Sequence, residues 1–179
     1  MGQLLQSLRL EPITKVTNLA RGTQLKLLVR LSNQQKVIFK PQWYPRDIVI
    51  EGPVYGGKDR HVAEVYAFYL GAVLDFRWTP IVVGRVVNLK TDIYDKGDTE
   101  LQNTMTITET ENGTEQYCLF GKCHYCNEEE TVCADENNNI EGVLIYIIPG
   151  QLAKRRSPWQ RTYKDDKRAP WEDDMNYCK

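Results

Sequence analysis

Lys40 closes a strand-like run, Gln35-Lys36-Val37-Ile38-Phe39-Lys40-Pro41, and 19 positions later Asp59-Arg60-His61-Val62-Ala63-Glu64 opens a helix-like one. A strand lysine followed by carboxylates at the start of the next helix suits phosphate chemistry. The ammonium balances phosphate charge, and a carboxylate orients the lysine or holds a metal. Residue type alone leaves two options for Lys40: it snorkels to water or it meets an anion. Gln24 and Lys26, on a preceding strand, share one side-chain parity and so face one side. Gly22-Thr23 before them lets a backbone approach a phosphate. No Gly-x-x-x-x-Gly-Lys-Ser/Thr loop occurs. Asp59 and Glu64 lie about 140° apart around a helix, so one faces the nucleotide side while the other caps or is solvated. Each also has an ordinary role, Asp59 as a first-turn acid favoured by the helix dipole and Glu64 as a surface residue.

The elements that must position these residues follow from periodicity. Residues 24–31 alternate around Leu25, Leu27 and Val29, the two-residue period of a half-buried strand. Ser32-Asn33-Gln34 turns the chain into a second strand over 36–40, and Pro41, lacking an amide hydrogen, ends that ladder. Residues 42–58 form a loop with an extended piece at Ile48-Val49-Ile50. From Asp59, placed as N-cap or first-turn acid, Val62, Val65, Tyr66, Tyr69, Leu70, Val73 and Leu74 recur at helical spacing. Strands are expected over 81–89, over 104–108 and, strongly apolar, over 140–148. Two strands, a loop, a helix and further strands give an α+β fold in the order of a kinase small lobe: an antiparallel sheet plus one main helix. The domain reading is a leader at 1–12, the lobe at 13–150 with a cysteine loop at 118–133, and a connection at 151–179. Asp75-Phe76-Arg77 has arginine where a metal-binding Asp-Phe-Gly has glycine, and reads as packing. Lys154-Arg155-Arg156 reads as a solvated loop, and Trp159 and Trp171 as sugar-stacking or core-covering rings.

Whole-chain properties narrow the classes. The 179 residues are 41% hydrophobic and 26% charged, enough for one core, and a net charge of -1 gives no field for nucleic acid. No apolar run approaches the ~20 residues of a membrane span. The N-terminus has no signal-peptide core, and Gln6 breaks a myristoylation pattern. Cys118, Cys123, Cys126 and Cys133 cluster in a polar loop, which reads as two local disulfides or, since Cys-x2-Cys encloses His124, as a zinc site. Asn112-Gly113-Thr114 is a glycosylation sequon. Together with the leftover Cys178, which asks for a partner cysteine beyond this sequence, these suggest a piece of a longer secretory protein.

Several stretches together resemble one family, the atypical secretory-pathway kinases that include the Golgi casein kinase and the glycosaminoglycan xylosylkinases. They are Gly22-Thr23-Gln24-Leu25-Lys26, Val37-Ile38-Phe39-Lys40-Pro41, the segment from Asp59 through Phe68, Val82-Val83-Gly84-Arg85, Gly121-Lys122-Cys123-His124-Tyr125-Cys126, Ile140-Glu141-Gly142 and Pro158-Trp159-Gln160-Arg161-Thr162-Tyr163. Asp59 before Arg60-His61, and two residues between Cys123 and Cys126, look more like the xylose-phosphorylating branch than the protein-phosphorylating one. The resemblance implies an N-terminal lobe of a kinase that moves the ATP γ-phosphate to the 2-hydroxyl of xylose in the proteoglycan linkage glycan. It implies Mn²⁺ or Mg²⁺, and a Golgi or secreted location with the signal or anchor outside this sequence. Gln24 and Lys40 would contact ATP, with Lys26 nearby. Asp59, or alternatively Glu64, would take the metal- or lysine-facing role, and Ile145, Tyr146, Ile147 and Ile148 would line the adenine pocket and hinge. Cys118–Cys133 and Cys123–Cys126 would be the disulfides. The catalytic aspartate and second metal aspartate of such kinases lie in a large lobe that this sequence does not reach, so the chain alone is expected to be inactive. The alternative is a pseudokinase-like module that binds a related full-length secretory kinase.

Overall fold

The structure, a computed structural model, describes residues 1–52, 58, 60–110, 112–153 and 168–177. The expectations for Asp59, for Lys154-Arg155-Arg156, for Trp159 and for Cys178 fall outside the described residues. The chain divides into two units, Met1–Ile148 and Pro149–Lys179. In the second unit the described structure is one short helix, α4 (Pro170–Asp173), in which Glu172 accepts from the Ala169 amide at 2.7 Å and Arg168 pairs with Asp173 at 2.9 Å.

Alternation builds the main sheet of the first unit. In β2 (Leu27–Leu31) and β3 (Lys36–Pro41), Leu27, Val29, Leu31, Val37 and Phe39 point to one face and are fully buried. Leu27 stands opposite Phe39 in the hairpin, whose turn places Gln34 at φ 68°. β1 (Ile13–Asn18) pairs outside β2. The chain's last strand here, β8 (Asn139–Tyr146), pairs with β3, and β4 (Val82–Asn88) lies beyond it. The antiparallel order is β1-β2-β3-β8-β4.

Two strand limits differ from expectation. β2 begins at Leu27, so Gln24 and Lys26 stand in the turn before it. Pro41 does not end the ladder: it pairs with Gly142, and the Gln42 amide donates to Glu141 O at 2.8 Å. Successive strand amides point to opposite neighbours. The nitrogen of Pro41 therefore points toward β2, which has already ended there, and no ladder hydrogen bond is lost.

The buried face of the sheet is covered by segments that read as polar. A π-helical turn, Leu89–Tyr94, is capped by Asn88, whose side chain accepts from the amides of Lys90 and Thr91. Asp98 caps α3 (Thr99–Gln102). Their Leu89, Ile93 and Leu101 are fully buried in the core. A second sheet, β5 (Met105–Glu109), β6 (Glu115–Leu119) and β7 (Val132–Cys133), adds Tyr117 and Leu119. Cys118 and Cys133 face each other in it and are bonded, and Cys123 is bonded to Cys126. All four sulfurs of the cluster are thus in disulfides, which leaves no thiolate in this loop for zinc. Residues expected as a leader form α1 (Gly2–Leu10), whose Leu8 is fully buried. Arg85 holds its C-terminal end, donating to Leu8 O at 3.1 Å and Glu11 O at 2.8 Å. Burial pushes the Arg85 guanidinium down, against the raising effect of Asp92.

The opposite face of the sheet carries α2 (His61–Val73). Phe68 packs there with Val82, Val143 and Ile145, and Val65 and Ile38 lie at the edge of that cluster. The apolar periodicity marks the wrong stripe: Tyr66 is 72% and Val73 82% exposed, whereas His61 and Phe68 are buried. Two further readings are also corrected. Phe76 and Trp78 stack on each other at 5.4 Å but are exposed, not packed inside. The 48–50 piece forms no strand, and Val49 is exposed.

Candidate nucleotide site

Lys40 is placed by the sheet. It stands opposite Val143 on the face that α2 covers, one residue past the point where β3 outruns the start of β2. Its neighbours on that face are Leu28 and Ile38, both half-buried, with Thr17 opposite Leu28 on β1. α2 presents Glu64 to it, and Lys40 Nζ is bonded to Glu64 Oε1. The side chains are 17% and 36% exposed, so the pair stands at the edge of the site rather than sealed in the core. Glu64 is a carboxylate bonded to the lysine among the described residues, which do not include Asp59. The chemistry of this corner is a fixed cation beside a half-apolar strip, with a carboxylate oriented toward it.

The turn before β2 holds Gln24 and Lys26. Gly22 adopts φ +88°, and a side chain there would meet Lys26 Nζ at 3.0 Å. Lys26 Nζ donates to Gln24 O at 3.2 Å, which curls the turn around its own ammonium. Sequence reasoning missed what braces this turn. The His124 amide donates to Gly22 O at 3.1 Å, and Cys123 Sγ lies 3.4 Å from Thr23 O. The small Cys123–Cys126 ring thus backs the Gly22 turn. Gln24, Tyr44, Lys58, His124, Tyr125 and Glu130 line an open depression of about 690 Å³, and Lys58, paired with Glu130, stands over the Trp43 ring at 5.3 Å.

The remaining expected residues spread along β8 and beyond its end. Ile145 is buried under α2, in the Phe68 cluster. Tyr146 pairs with Val37 and donates its amide to Ile81 O, and the Ile147 amide donates to Lys36 O at 3.3 Å. Ile148 is exposed. Asn112 is exposed between β5 and β6.

A second polar contact, unforeseen from sequence, lies one turn before Glu64. His61 Nε2 is 2.8 Å from Glu141 Oε1, and Arg46 Nη2 is 2.6 Å from the same oxygen. Burial pushes the Glu141 carboxyl up, but the hydrogen bonds from Arg46 and His61 outweigh it and hold the group below the usual carboxylate range. An ionised carboxylate only accepts, so His61 Nε2 carries the proton of this bond.

Residues 1–179 match the family model described as Golgi casein kinase, C-terminal, Fam20. The chain belongs to the Fam20 family. A Drosophila melanogaster protein named glycosaminoglycan xylosylkinase homolog is 82% identical over 179 residues, which are 100% of this chain and 42% of that protein. The structure of a hydra Fam20 with sugar superposes with a TM-score of 0.87 at 38% identity, over 99% of this chain and 50% of that one. The Golgi casein kinase with Mn and ADP bound superposes at 0.86 and 31% identity, over 99% of this chain and 43% of that one. The chain thus spans under half the length of the Drosophila relative, and the part it matches is the kinase small lobe.

The residues present fit a nucleotide and a divalent cation. Among the described residues no three His, Cys, Asp or Glu side chains converge as a cation cage. A small divalent ion at a phosphate site needs no such cage, since one or two carboxylates plus phosphate oxygens hold it. Glu64, 36% exposed, is a carboxylate of the kind such an ion takes.

Proposed function

We propose that this chain is the nucleotide-binding lobe of an ATP-dependent Fam20 kinase that phosphorylates the 2-hydroxyl of xylose in the glycosaminoglycan linkage glycan. The observation that carries the reading is the Lys40–Glu64 pair between β3 and α2. ATP supplies the transferable phosphoryl group, and Mn²⁺ (or Mg²⁺) neutralises phosphate charge when bound. Lys40 holds phosphate oxygens, and Glu64 keeps its ammonium aimed and contributes a carboxylate toward the cation. Asp59 is a further carboxylate for that role. Gln24 and Lys26 shape the turn that lies along the phosphates, while Leu28 and Ile38 offer the apolar strip beside Lys40 for a purine, with the backbone of 145–148 at its margin. The xylose acceptor follows from the likeness to the Drosophila relative. The aspartate that positions the acceptor hydroxyl is expected from the rest of the polypeptide, so these 179 residues alone are expected to bind nucleotide without transferring phosphate. The two disulfides support a secretory-pathway location, Golgi or extracellular. No helix among the described residues is long and apolar enough to cross a membrane.

The test is Lys40→Met in the complete polypeptide that contains this chain. A charge-assisted phosphate contact is worth about 1.5–3 kcal/mol, so Mn·ADP affinity should fall roughly 10- to 100-fold, with phosphate transfer to a xylose-bearing linkage glycan lost. Unchanged affinity in Lys40→Met would sink the nucleotide reading. Wild-type binding without transfer to any xylose-bearing acceptor would instead favour a second reading, a non-catalytic module docking on a related secretory kinase. The exposed Tyr66, Leu70, Val73 and Trp78 on and after α2 favour that second reading.

A further inference from the structure

α2 is attached to the sheet by few contacts. Phe68 is its only buried apolar residue, and among the described residues no side chain caps its N-terminus at Arg60. A cavity of about 330 Å³ lies against the first turn, lined by Tyr44, Arg46, Arg60, His61, Val62 and Tyr66 among others. Among the described residues, two side-chain contacts tie the inward face of this turn to strands of the sheet. His61, 4% exposed, reaches Glu141 on β8, and Glu64 reaches Lys40 on β3. His61 and Glu64 are three residues apart and so share one helix face. Their targets are neighbours on the sheet: Lys40 pairs with Val143, two residues beyond Glu141.

We propose that His61 is a positioning residue for the nucleotide site: its bond to Glu141 sets the rotation of the first turn of α2, and through it whether Glu64 reaches Lys40. This rests on the reading of Lys40 as the phosphate-holding cation. The sensitivity follows from helix geometry. A carboxylate about 5 Å from the helix axis moves by nearly 2 Å when the helix rolls by about 20°, enough to break a hydrogen bond. Glu141 is itself held in place by Arg46, so the strand end of the clamp is fixed from two sides. His61 acts through Glu64 and does not itself touch the nucleotide.

The experiment compares His61→Leu, His61→Gln and Glu64→Gln, and the double variant His61→Leu/Glu64→Gln, in the complete polypeptide. Mn·ADP affinity is measured alongside the Nζ resonance of Lys40 in ¹⁵N-lysine-labelled protein. His61→Leu is expected to weaken Mn·ADP about tenfold, the loss associated with one charge-assisted hydrogen bond, and to move the Lys40 resonance to its Glu64→Gln position. His61→Gln, which places an amide donor at the reach of Nε2, should restore both. In the Glu64→Gln background His61→Leu should cost nothing further, because the path runs through Glu64. Additive losses, or a Lys40 resonance indifferent to His61→Leu, would overturn the proposal. If His61→Leu fails to fold, Glu141→Met removes the same bond from the strand side and must reproduce the Lys40 shift. If Glu64→Gln itself leaves Mn·ADP affinity unchanged, the nucleotide reading fails, and the Lys40 resonance still decides whether His61 positions Glu64.

Discussion

Replacing Gly142 by alanine tests how tightly the middle of the sheet is built around the lysine strand. A Cβ on Gly142 would lie 2.6 Å from Phe39 Cζ and 2.6 Å from Lys40 O, with another ring carbon of Phe39 closer still. Carbon atoms in ordinary contact sit about 3.5–4.0 Å apart, so ring and carbonyl would each have to retreat by roughly 1 Å. Neither has room. Phe39 is fully buried in the main core, and Lys40 belongs to the β3–β8 ladder, where withdrawal means lengthening interstrand bonds. Overpacking of a filled core costs about 1–3 kcal/mol, and with a backbone atom among the obstacles the upper end applies, about 3 kcal/mol. For a domain of this size that is roughly 6–12 °C in Tm. Thermal and urea unfolding of Gly142→Ala, Phe39→Leu and the double variant separate the two obstacles. Phe39→Leu removes the ring atoms but not the carbonyl, so Gly142→Ala should cost about 1 kcal/mol less in that background while still costing something. A change under about 0.5 kcal/mol in the wild-type background would refute the close approach of β8 to β3.

Acid stability should carry a Glu141 signature. Its folded carboxyl lies below the ordinary glutamate value of about 4.3, so its contribution is complete above that value and is lost as pH falls through the lower folded one. Unfolding free energy measured against pH should fall in that window for wild type. Glu141→Gln should be less stable at neutral pH and flatter there, and parallel curves would contradict the assignment. The two disulfides should separate in effect. Cys118–Cys133 closes 15 residues, so Cys118→Ser/Cys133→Ser should cost about 3 kcal/mol in urea unfolding. Cys123–Cys126 spans three and backs the Gly22 turn, so Cys123→Ser/Cys126→Ser should lose Mn·ADP affinity by isothermal titration with a smaller stability cost. Equal stability costs with unchanged affinity would count against the bracing.

What the sequence yields and what it hides both have physical reasons. The β2–β3 hairpin and β8 were legible because each buries one face or a continuous run, and the alternation from Leu27 through Phe39 survives into the structure. Residue type and order single out Lys40, with Asp59 as the first carboxylate for it and Glu64 as the alternative. β1 was not legible, because a register irregularity between Ile13 and Lys15 turns Ile13 and Val16 inward three residues apart, an odd spacing that reads as no strand. β6 escaped because Tyr117, Cys118 and Leu119 are buried in succession, between the main core and the disulfide. For α2 the apolar count misled: the exposed Tyr66, Leu70 and Val73 dominate the stripe it picks out, while Phe68, His61 and Glu64 face the sheet. His61–Glu141 had no sequence signal, since 80 residues separate the partners and only the position of β8 beside β3 brings them together.

The place of β8 also sets the order of assembly during synthesis. An interior strand of the sheet, β8, is the last of its strands to be made, and Lys40 waits for Val143 about a hundred residues later, roughly 5–20 s of translation at 5–20 residues per second. Through that interval β3 and β4 each show a bare apolar edge of the kind that invites wrong pairing. Closing so long a loop has a real entropic cost. Early oxidation of Cys118 to Cys133 would shorten the loose connection just before β8 arrives. A nascent chain stalled before residue 139 would therefore present a three-stranded β1-β2-β3 sheet, a lone β4 and no place for α2, and a chaperone that shields strand edges would have its main task in that window.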